Sequence, residues 1–319
     1  MNLKMALLPP DVIEGWEDEI REVVPGSEVR TFKSPADIGD FIEEVNCAYG
    51  LVPPELFQRA KNLKWIQCYA AGPANSFWFD ELVQSAVVVT NFRGIFNEHV
   101  SAHAMSFLMA FSRNLNRYMQ QQSRKEWAPI PFKVYLPEST VLIIGAGGIG
   151  AETGRLCKAF GMKVIGIDPR VTVKPVHFDA LYSTNSLDSM LPAADFVIIT
   201  TPETPQTRRM IDSRRLSLMK ETSYLINVGR GACVVLEDLV KALEAKTLTG
   251  AGLDVFEEEP LPQSSPLWSN PNVIITPHIA ADQNSYHVPE RRTKILLENC
   301  KRFSRGEDLL NVMDKKNRF

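Results

Sequence analysis

The sequence predicts an α/β protein in which a doubly wound parallel sheet, a Rossmann domain, is inserted into a smaller flavodoxin-like α/β domain. Three observations carry that prediction. The stretch Thr140–Asp168 reads strand, glycine turn, helix, strand, acid. Short apolar runs alternate with helical patterns along the rest of the chain, as in a parallel sheet with helices on its faces. The last residues hold a single helical segment, too little for a domain, which is expected to return to the first part of the chain.

Taken in order, residues 1–98 offer five strand candidates: Met5–Leu8, Val29–Phe32, Ala48–Val52, Trp65–Tyr69 and Val87–Asn91. Ile13–Val23, Pro35–Val45 and Pro54–Ala60 read as helices between them. None of these strands is followed by a glycine fingerprint, so this part is not expected to bind a dinucleotide. From Asn97 to about Gln122 apolar residues recur at helical spacing (Val100, Ala104, Phe107, Leu108, Phe111, Leu115, Met119), predicting one long helix. Its apolar stripe suits a core helix or a subunit contact equally. A polar, proline-bearing link follows at Glu126–Pro137.

The stretch that follows has a defined logic. Val141–Ile144 suits a strand buried on both faces. Gly145 permits a tight turn, Gly147 allows the backbone close to a pyrophosphate, and Gly150 lets the helix pack near the strand. Gly148 and Ile149 open the helix, whose free N–H groups and dipole favour phosphate. Gly161 stops it, Val164–Ile167 forms the next strand, and Asp168 ends that strand where a carboxylate meets the ribose hydroxyls. Four more strands, Phe196–Thr200, Tyr224–Val228, Ala251–Val255 and Val273–Thr276, complete a six-stranded sheet. The expected domains are therefore 1–98, 99–287 for the dinucleotide, and 288–319 returning to the first.

Ligands of such sheets bind beyond the carboxyl ends of the strands, so ionisable residues there are the candidates. Arg230 follows Tyr224–Val228, Glu259 follows Ala251–Val255, and His278 follows Val273–Thr276. A guanidinium clamps a carboxylate and its neighbouring carbonyl in a fixed fork. An imidazole exchanges a proton with the carbonyl oxygen as hydride moves to or from a nicotinamide. A carboxylate beside the imidazole fixes its tautomer. Singly, each residue reads as a surface charge or a loop histidine; their placement after successive strands points to chemistry on a 2-oxo or 2-hydroxy acid.

Composition narrows the alternatives. Apolar residues at 45% and charged residues at 23% fit a soluble globular protein. A net charge of −3 without a basic block argues against nucleic acid. Five scattered cysteines without a CxxC argue against a disulfide framework or a zinc site, and fit a reducing cytoplasm. No run approaches the ~20 apolar residues of a membrane span, and the N-terminus lacks a signal-peptide core. His99 and His103 lie one helical turn apart, but Val100 stands where a zinc-protease motif needs glutamate, so no metal is expected.

The motifs carry a family resemblance. VVVTNFRG (87–94), GAGGIG, DFVIITTPETPQT (195–207), LINVGRGA (225–232), GAGLDVFEEEPLP (250–262), NVIITPHIA (272–280) and LLNVMDK (309–315) resemble, in order, the D-isomer-specific 2-hydroxyacid dehydrogenases. The resemblance implies that Arg230 binds substrate, that Glu259, the glutamate directly before proline, partners the histidine, and that His278 is the acid/base. It implies Asp254 at the nicotinamide carboxamide, Asp168 at the adenosine ribose, and Thr201, Pro202, Thr207, Val228 and Gly229 lining the dinucleotide. It further implies a discontinuous substrate domain, a homodimer built on the long helix, and a loop at Ala71 and Gly72 that binds the substrate carboxylate through backbone N–H groups. This chain departs from the family at Pro73 and Ala74, where an aspartate is common, and at Ala102, where a glutamate usually precedes His103; that histidine is expected to be structural. Asp168 favours NAD by repelling a 2′-phosphate, while Arg170 leaves NADP open. Rival readings are an NAD(H)-sensing protein similar to the corepressors that share this frame, and a phosphite or formate dehydrogenase.

Overall fold

The structure is a computed structural model, and it describes residues 2–73, 75–132, 134–170, 173–282, 284–316 and 318. Ala74 lies outside the described residues. The chain divides into two compact units, one made of 1–95 and 282–319, the other of 96–281. The sequence reading put the joints at 98/99 and 287/288; the first moves because Phe96 already caps the next helix.

Among the described residues, the first unit holds five parallel strands, β1 (Lys4–Leu7), β2 (Glu28–Thr31), β3 (Cys47–Tyr49), β4 (Trp65–Gln67) and β5 (Val88–Thr90), in the order β2-β1-β3-β4-β5. This is a flavodoxin-like order. Helices Trp16–Val23 and Val288–Arg305 pack together, and Trp16 Nε1 donates to Thr293 Oγ1 at 2.7 Å. Met313 returns beside β5, its N–H donating to Val89 O at 2.8 Å. The helix expected over Pro35–Val45 is broken into a 3-10 turn, Pro35–Ile38, and a short helix, Phe41–Glu44. Gly39 between them, at φ 56° and ψ −135°, has a backbone no helix accommodates.

Among the described residues, the second unit contains seven parallel strands rather than six: β6 (Thr140–Ile144), β7 (Lys163–Ile167), β8 (Ala180–Tyr182), β9 (Phe196–Ile199), β10 (Tyr224–Asn227), β11 (Gly250–Leu253) and β12 (Val273–Ile275). Their order is β12-β11-β10-β9-β6-β7-β8, so the direction of winding reverses between β6 and β9. The additional strand, β8, has only three residues and sits at the edge without a buried position, so no apolar run announces it. The helix predicted over 97–122 is two, Asn97–Ser112 and Leu115–Ser123, because Asn114 turns left-handed at φ 56°. Asparagine tolerates that region better than most residues. The first of the pair packs along helix Gly148–Ala159 on one face of the sheet. Helices Ser213–Leu218 and Leu236–Glu244 cover the other. Phe178 fills the space left by two glycines, Gly154 on the helix and Gly166 on β7, where added Cβ atoms would come within 2.3 and 2.5 Å of its ring. That packing fixes the height of helix Gly148–Ala159 above the sheet.

Candidate active site

The glycine turn has the geometry its sequence predicts. Gly145 takes φ 101°, and its N–H donates to Ile167 O at 2.8 Å, tying the end of β6 to β7. Gly150 has no room for a side chain: a Cβ would stand 1.9 Å from Gly145 O. That carbonyl also accepts from Thr200 Oγ1 at 2.7 Å. Gly147 differs, since among the described residues a Cβ there would meet only Arg170 Nη2, at 3.9 Å. Gly147 is also the N-cap of helix Gly148–Ala159, and no side chain caps the helix there. Exposed first-turn amides, an open backbone and a dipole end fit a pyrophosphate.

Asp168 follows β7 and is buried, at 4% exposure. Its Oδ2 accepts from Ala146 N–H at 2.9 Å and its Oδ1 from Arg170 N–H at 2.9 Å. Arg170 Nε lies 3.6 Å from the same Oδ1, so the guanidinium turns back over the acid and the glycine turn. Across the switch point, Thr207 Oγ1 donates to Pro202 O at 2.7 Å and accepts from Thr204 N–H at 2.8 Å, folding 201–207 into a tight loop after β9. Thr201 faces Cys233, whose thiol is pushed up by burial. Val228 is buried, and a Cβ on Gly229 would come within 2.7 Å of Thr201 O, so these two loops touch through a glycine.

Next come the three ionisable candidates. β10, β11 and β12 are neighbours and parallel, so Arg230, Asp254 with Glu259, and His278 all follow strand ends on the same edge. Asn227 shapes the first turn, its side chain donating to Arg230 O at 3.0 Å and accepting from Gly229 N–H at 3.1 Å. Arg230 is half-buried, with Nη1 donating to Gly229 O at 2.8 Å. Gly231 lies so close to Phe256 that a Cβ would sit 1.9 Å from its carbonyl, so the arginine turn and the glutamate turn are packed as one body. Phe256 N–H in turn donates to Glu259 Oε1 at 2.9 Å, and the other carboxylate oxygen is 2.7 Å from His278 Nδ1. The imidazole–carboxylate pair expected from the sequence is therefore assembled, through Nδ1 of the ring. Glu257 is committed elsewhere: it accepts from Leu236 N–H at 2.7 Å and pairs with Arg209 at 3.3 Å, capping helix Leu236–Glu244.

His278 has a left-handed backbone, φ 52°. Asp254, only 1% exposed, holds it there: its main-chain O accepts from His278 N–H at 2.8 Å, and its carboxylate from Ile279 N–H at 2.9 Å and Ala280 N–H at 3.0 Å. Thr276 donates to the same carboxylate at 2.6 Å, and His103 reaches Thr276 Oγ1 with Nε2 at 2.9 Å. Sequence reasoning missed Thr276, Asn227 and Thr200, whose signals were only the polar residue closing each buried strand. Among the described residues, no group of three or more His, Cys, Asp or Glu is placed to hold a metal ion, and no helix is long and apolar enough to cross a membrane.

In the first unit, the loop at Ala71 and Gly72 follows β4, and buried Asn91 donates to Ala71 O at 2.7 Å, fixing its carbonyl.

Anion-ready amides at the switch point, together with a carboxylate-backed imidazole on the same sheet edge, fit a nicotinamide-dependent oxidoreductase. Comparison with known proteins makes this specific. Residues 105–280 match the family described as D-isomer specific 2-hydroxyacid dehydrogenase, NAD binding domain. A glyoxylate reductase of Korarchaeum cryptofilum is 33% identical over 271 residues, covering 83% of this chain and 80% of that one. A D-isomer specific 2-hydroxyacid dehydrogenase from Xanthobacter autotrophicus, solved with NADPH and MES, superposes over all of both chains with TM-score 0.84 at 26% identity. An NADPH-dependent glyoxylate/hydroxypyruvate reductase from Sinorhizobium meliloti, solved with NADP and sulfate, gives TM-score 0.82 at 27% identity, again over all of both chains. The chain belongs to the D-isomer specific 2-hydroxyacid dehydrogenase family, and is an NAD(P)-dependent oxidoreductase of 2-hydroxy acids.

Proposed function

We propose that this enzyme interconverts small 2-oxo acids of the glyoxylate and hydroxypyruvate type with their D-2-hydroxy acids. The observation that carries the reading is the 2.7 Å contact of His278 Nδ1 with Glu259. Nδ1 is occupied and oriented, so Nε2 is the atom that delivers a proton to the substrate's carbonyl oxygen, or removes one from the hydroxyl. Arg230 binds the carboxylate and the carbonyl as a fork. Ala71 and Gly72 offer backbone N–H groups to the carboxylate, on a loop whose carbonyl Asn91 fixes. The cofactor, when bound, supplies or accepts the hydride. Gly145, Gly147, Gly148, Ile149 and Gly150 would hold its pyrophosphate, Asp168 its adenosine ribose, Asp254 its carboxamide, and Thr201, Pro202, Thr207, Val228 and Gly229 its remaining length.

NAD is the preferred form in this reading. Arg170 lies against Asp168 and the glycine turn, which supports a guanidinium engaged there rather than reserved for a 2′-phosphate. We further propose a cytoplasmic homodimer. Helix Leu115–Ser123 and the link after it expose Met119, Trp127, Phe132 and Tyr135, with Trp127 99% accessible, an apolar surface suited to a second copy. The test is NADH and NADPH oxidation with glyoxylate, hydroxypyruvate and larger 2-oxo acids. His278→Ala is expected to lower kcat by ~10²–10⁴-fold. Wild-type turnover in that variant would sink the mechanism, and a clear NADPH preference would overturn the cofactor assignment.

A further inference from the structure

We propose that His103 is a positioning residue for the proton-transfer histidine, acting through Thr276 and Asp254; the proposal rests on the reading of His278 given above. It begins with packing. Gly252 in β11 has no side chain, and a Cβ there would meet Phe107 Cγ at 2.7 Å. The Phe107 ring therefore lies directly on the strand. His103, one turn earlier on the same helix, meets that ring edge-on, with centroids 4.8 Å apart at 83°. The stack delivers its Nε2 to Thr276 Oγ1 at 2.9 Å and to within 3.5 Å of Asp254 Oδ1.

Hydrogen accounting sets the direction of the chain. A carboxylate only accepts, so the 2.6 Å contact between Thr276 and Asp254 uses the single hydroxyl proton of Thr276. The threonine oxygen must then accept from His103, which places a proton on His103 Nε2. The relay runs His103 to Thr276 to Asp254, and ends on an aspartate that takes three consecutive N–H groups, those of His278, Ile279 and Ala280. A non-glycine residue stays at φ 52° only where its surroundings impose it. With the His103 donor gone, the Thr276 hydroxyl is free to rotate and the Asp254 carboxylate loses its anchor on the helix side. The His278 turn then wanders from the geometry Glu259 requires. Misplacement of a reacting group by about 1 Å costs up to about a hundredfold in rate.

Two substitutions separate hydrogen bonding from packing. His103→Phe keeps the ring on Phe107 and removes the donor. His103→Gln gives up the ring but restores an N–H near the Nε2 position. Hydrogen exchange of the cofactor-free protein across 276–282 is read beside kcat, KM and Tm. The expected result for H103F is about tenfold faster exchange in that segment, kcat lower by about tenfold with a smaller change in KM, and Tm close to wild type; H103Q recovers most of both losses. Unchanged exchange and kcat in H103F overturn the proposal. So does a general rise in exchange with a lowered Tm and no rescue by glutamine, which is the signature of a merely structural ring. Should H103F not fold, Thr276→Val cuts the same relay and is read the same way. If the wild-type protein reduces no 2-oxo acid, the assignment of His278 fails, while the exchange data still decide whether His103 holds the turn.

Discussion

Gly147 and Gly150 stand three residues apart in one turn, yet alanine at each should fail in different ways. At Gly150 the new Cβ would begin 1.9 Å from Gly145 O and must retreat to at least 3.0 Å, so the helix or the turn moves by more than an ångström. The atom it meets is backbone and already holds Thr200 Oγ1, so nothing flexible gives way. Overpacking of that kind costs about 1–3 kcal/mol, and the displaced first-turn amides would weaken NADH binding as well. At Gly147 the new Cβ meets, among the described residues, only a guanidinium nitrogen at 3.9 Å, an ordinary contact, and φ is −68°, which alanine adopts without strain. The unliganded protein should therefore be as stable as wild type, or more so by about 0.4–1 kcal/mol through loss of unfolded-state entropy. The methyl group nevertheless covers the backbone a pyrophosphate would approach, and NADH affinity should fall by about tenfold or more, roughly 1.4 kcal/mol. Calorimetric titration with NADH and urea unfolding of both variants supply the four numbers. Wild-type NADH affinity in G147A would refute the assignment of this turn to the pyrophosphate.

Other outcomes follow from the same contacts. Glu259→Gln removes the carboxylate that orients His278 and should lower kcat by about 10–100-fold with little change in NADH affinity; steady-state kinetics check it. Asp179 is held below the usual carboxylate range, first by Lys158, which donates to both its oxygens, and then by Val164 N–H. Its contribution is complete above the unfolded pKa of about 3.9 and is lost as pH falls through the folded value. Asp179→Asn should cost about 0.5–1 kcal/mol near neutral pH, a small figure because the pair is partly exposed, and the gap should narrow progressively below about pH 4 in urea titrations; a gap undiminished at pH 3 contradicts the pairing. All five cysteines are buried, and burial raises their thiols, that of Cys68 and that of Cys157 to about 12. A thiol reagent should find almost none of them in the native protein and five in guanidinium; rapid native labelling would contradict the packing.

Much of this molecule was legible because its signals are local. Gly145 answers the turn's positive φ and Gly150 the carbonyl five residues before it, Gly147 leaves the backbone between them open, and the strands leading to Arg230 and His278 are short apolar runs ending on the edge where sheets of this kind bind ligands. The choice of Glu259 over neighbouring Glu257 and Glu258, which have the same chemistry, came from the family resemblance, in which the glutamate directly before proline partners the histidine, and the contact of Glu259 with His278 agrees with it. What could not be read depends on partners distant in the chain. The role of Glu257 appears only when helix Leu236–Glu244 brings its first amide to it. His103 looks structural until Gly252 and Phe107 carry it to Thr276. β8 was invisible because an edge strand of three residues needs no apolar run, and the break at Asn114 because a left-handed residue leaves the helical spacing on either side intact.

Asp168 has an implication for anyone wishing to retool this enzyme toward a different coenzyme. The obvious move, trading the acid for a small neutral residue to admit a phosphate, presumes that the side chain has no task within the fold. Here both of its oxygens already receive main-chain amides, one from Ala146 in the glycine turn and one from Arg170. Deleting it would strip two acceptors from a buried corner and loosen the loop it was meant to respecify. A successful redesign would have to furnish substitute acceptors for those amides before it altered selectivity.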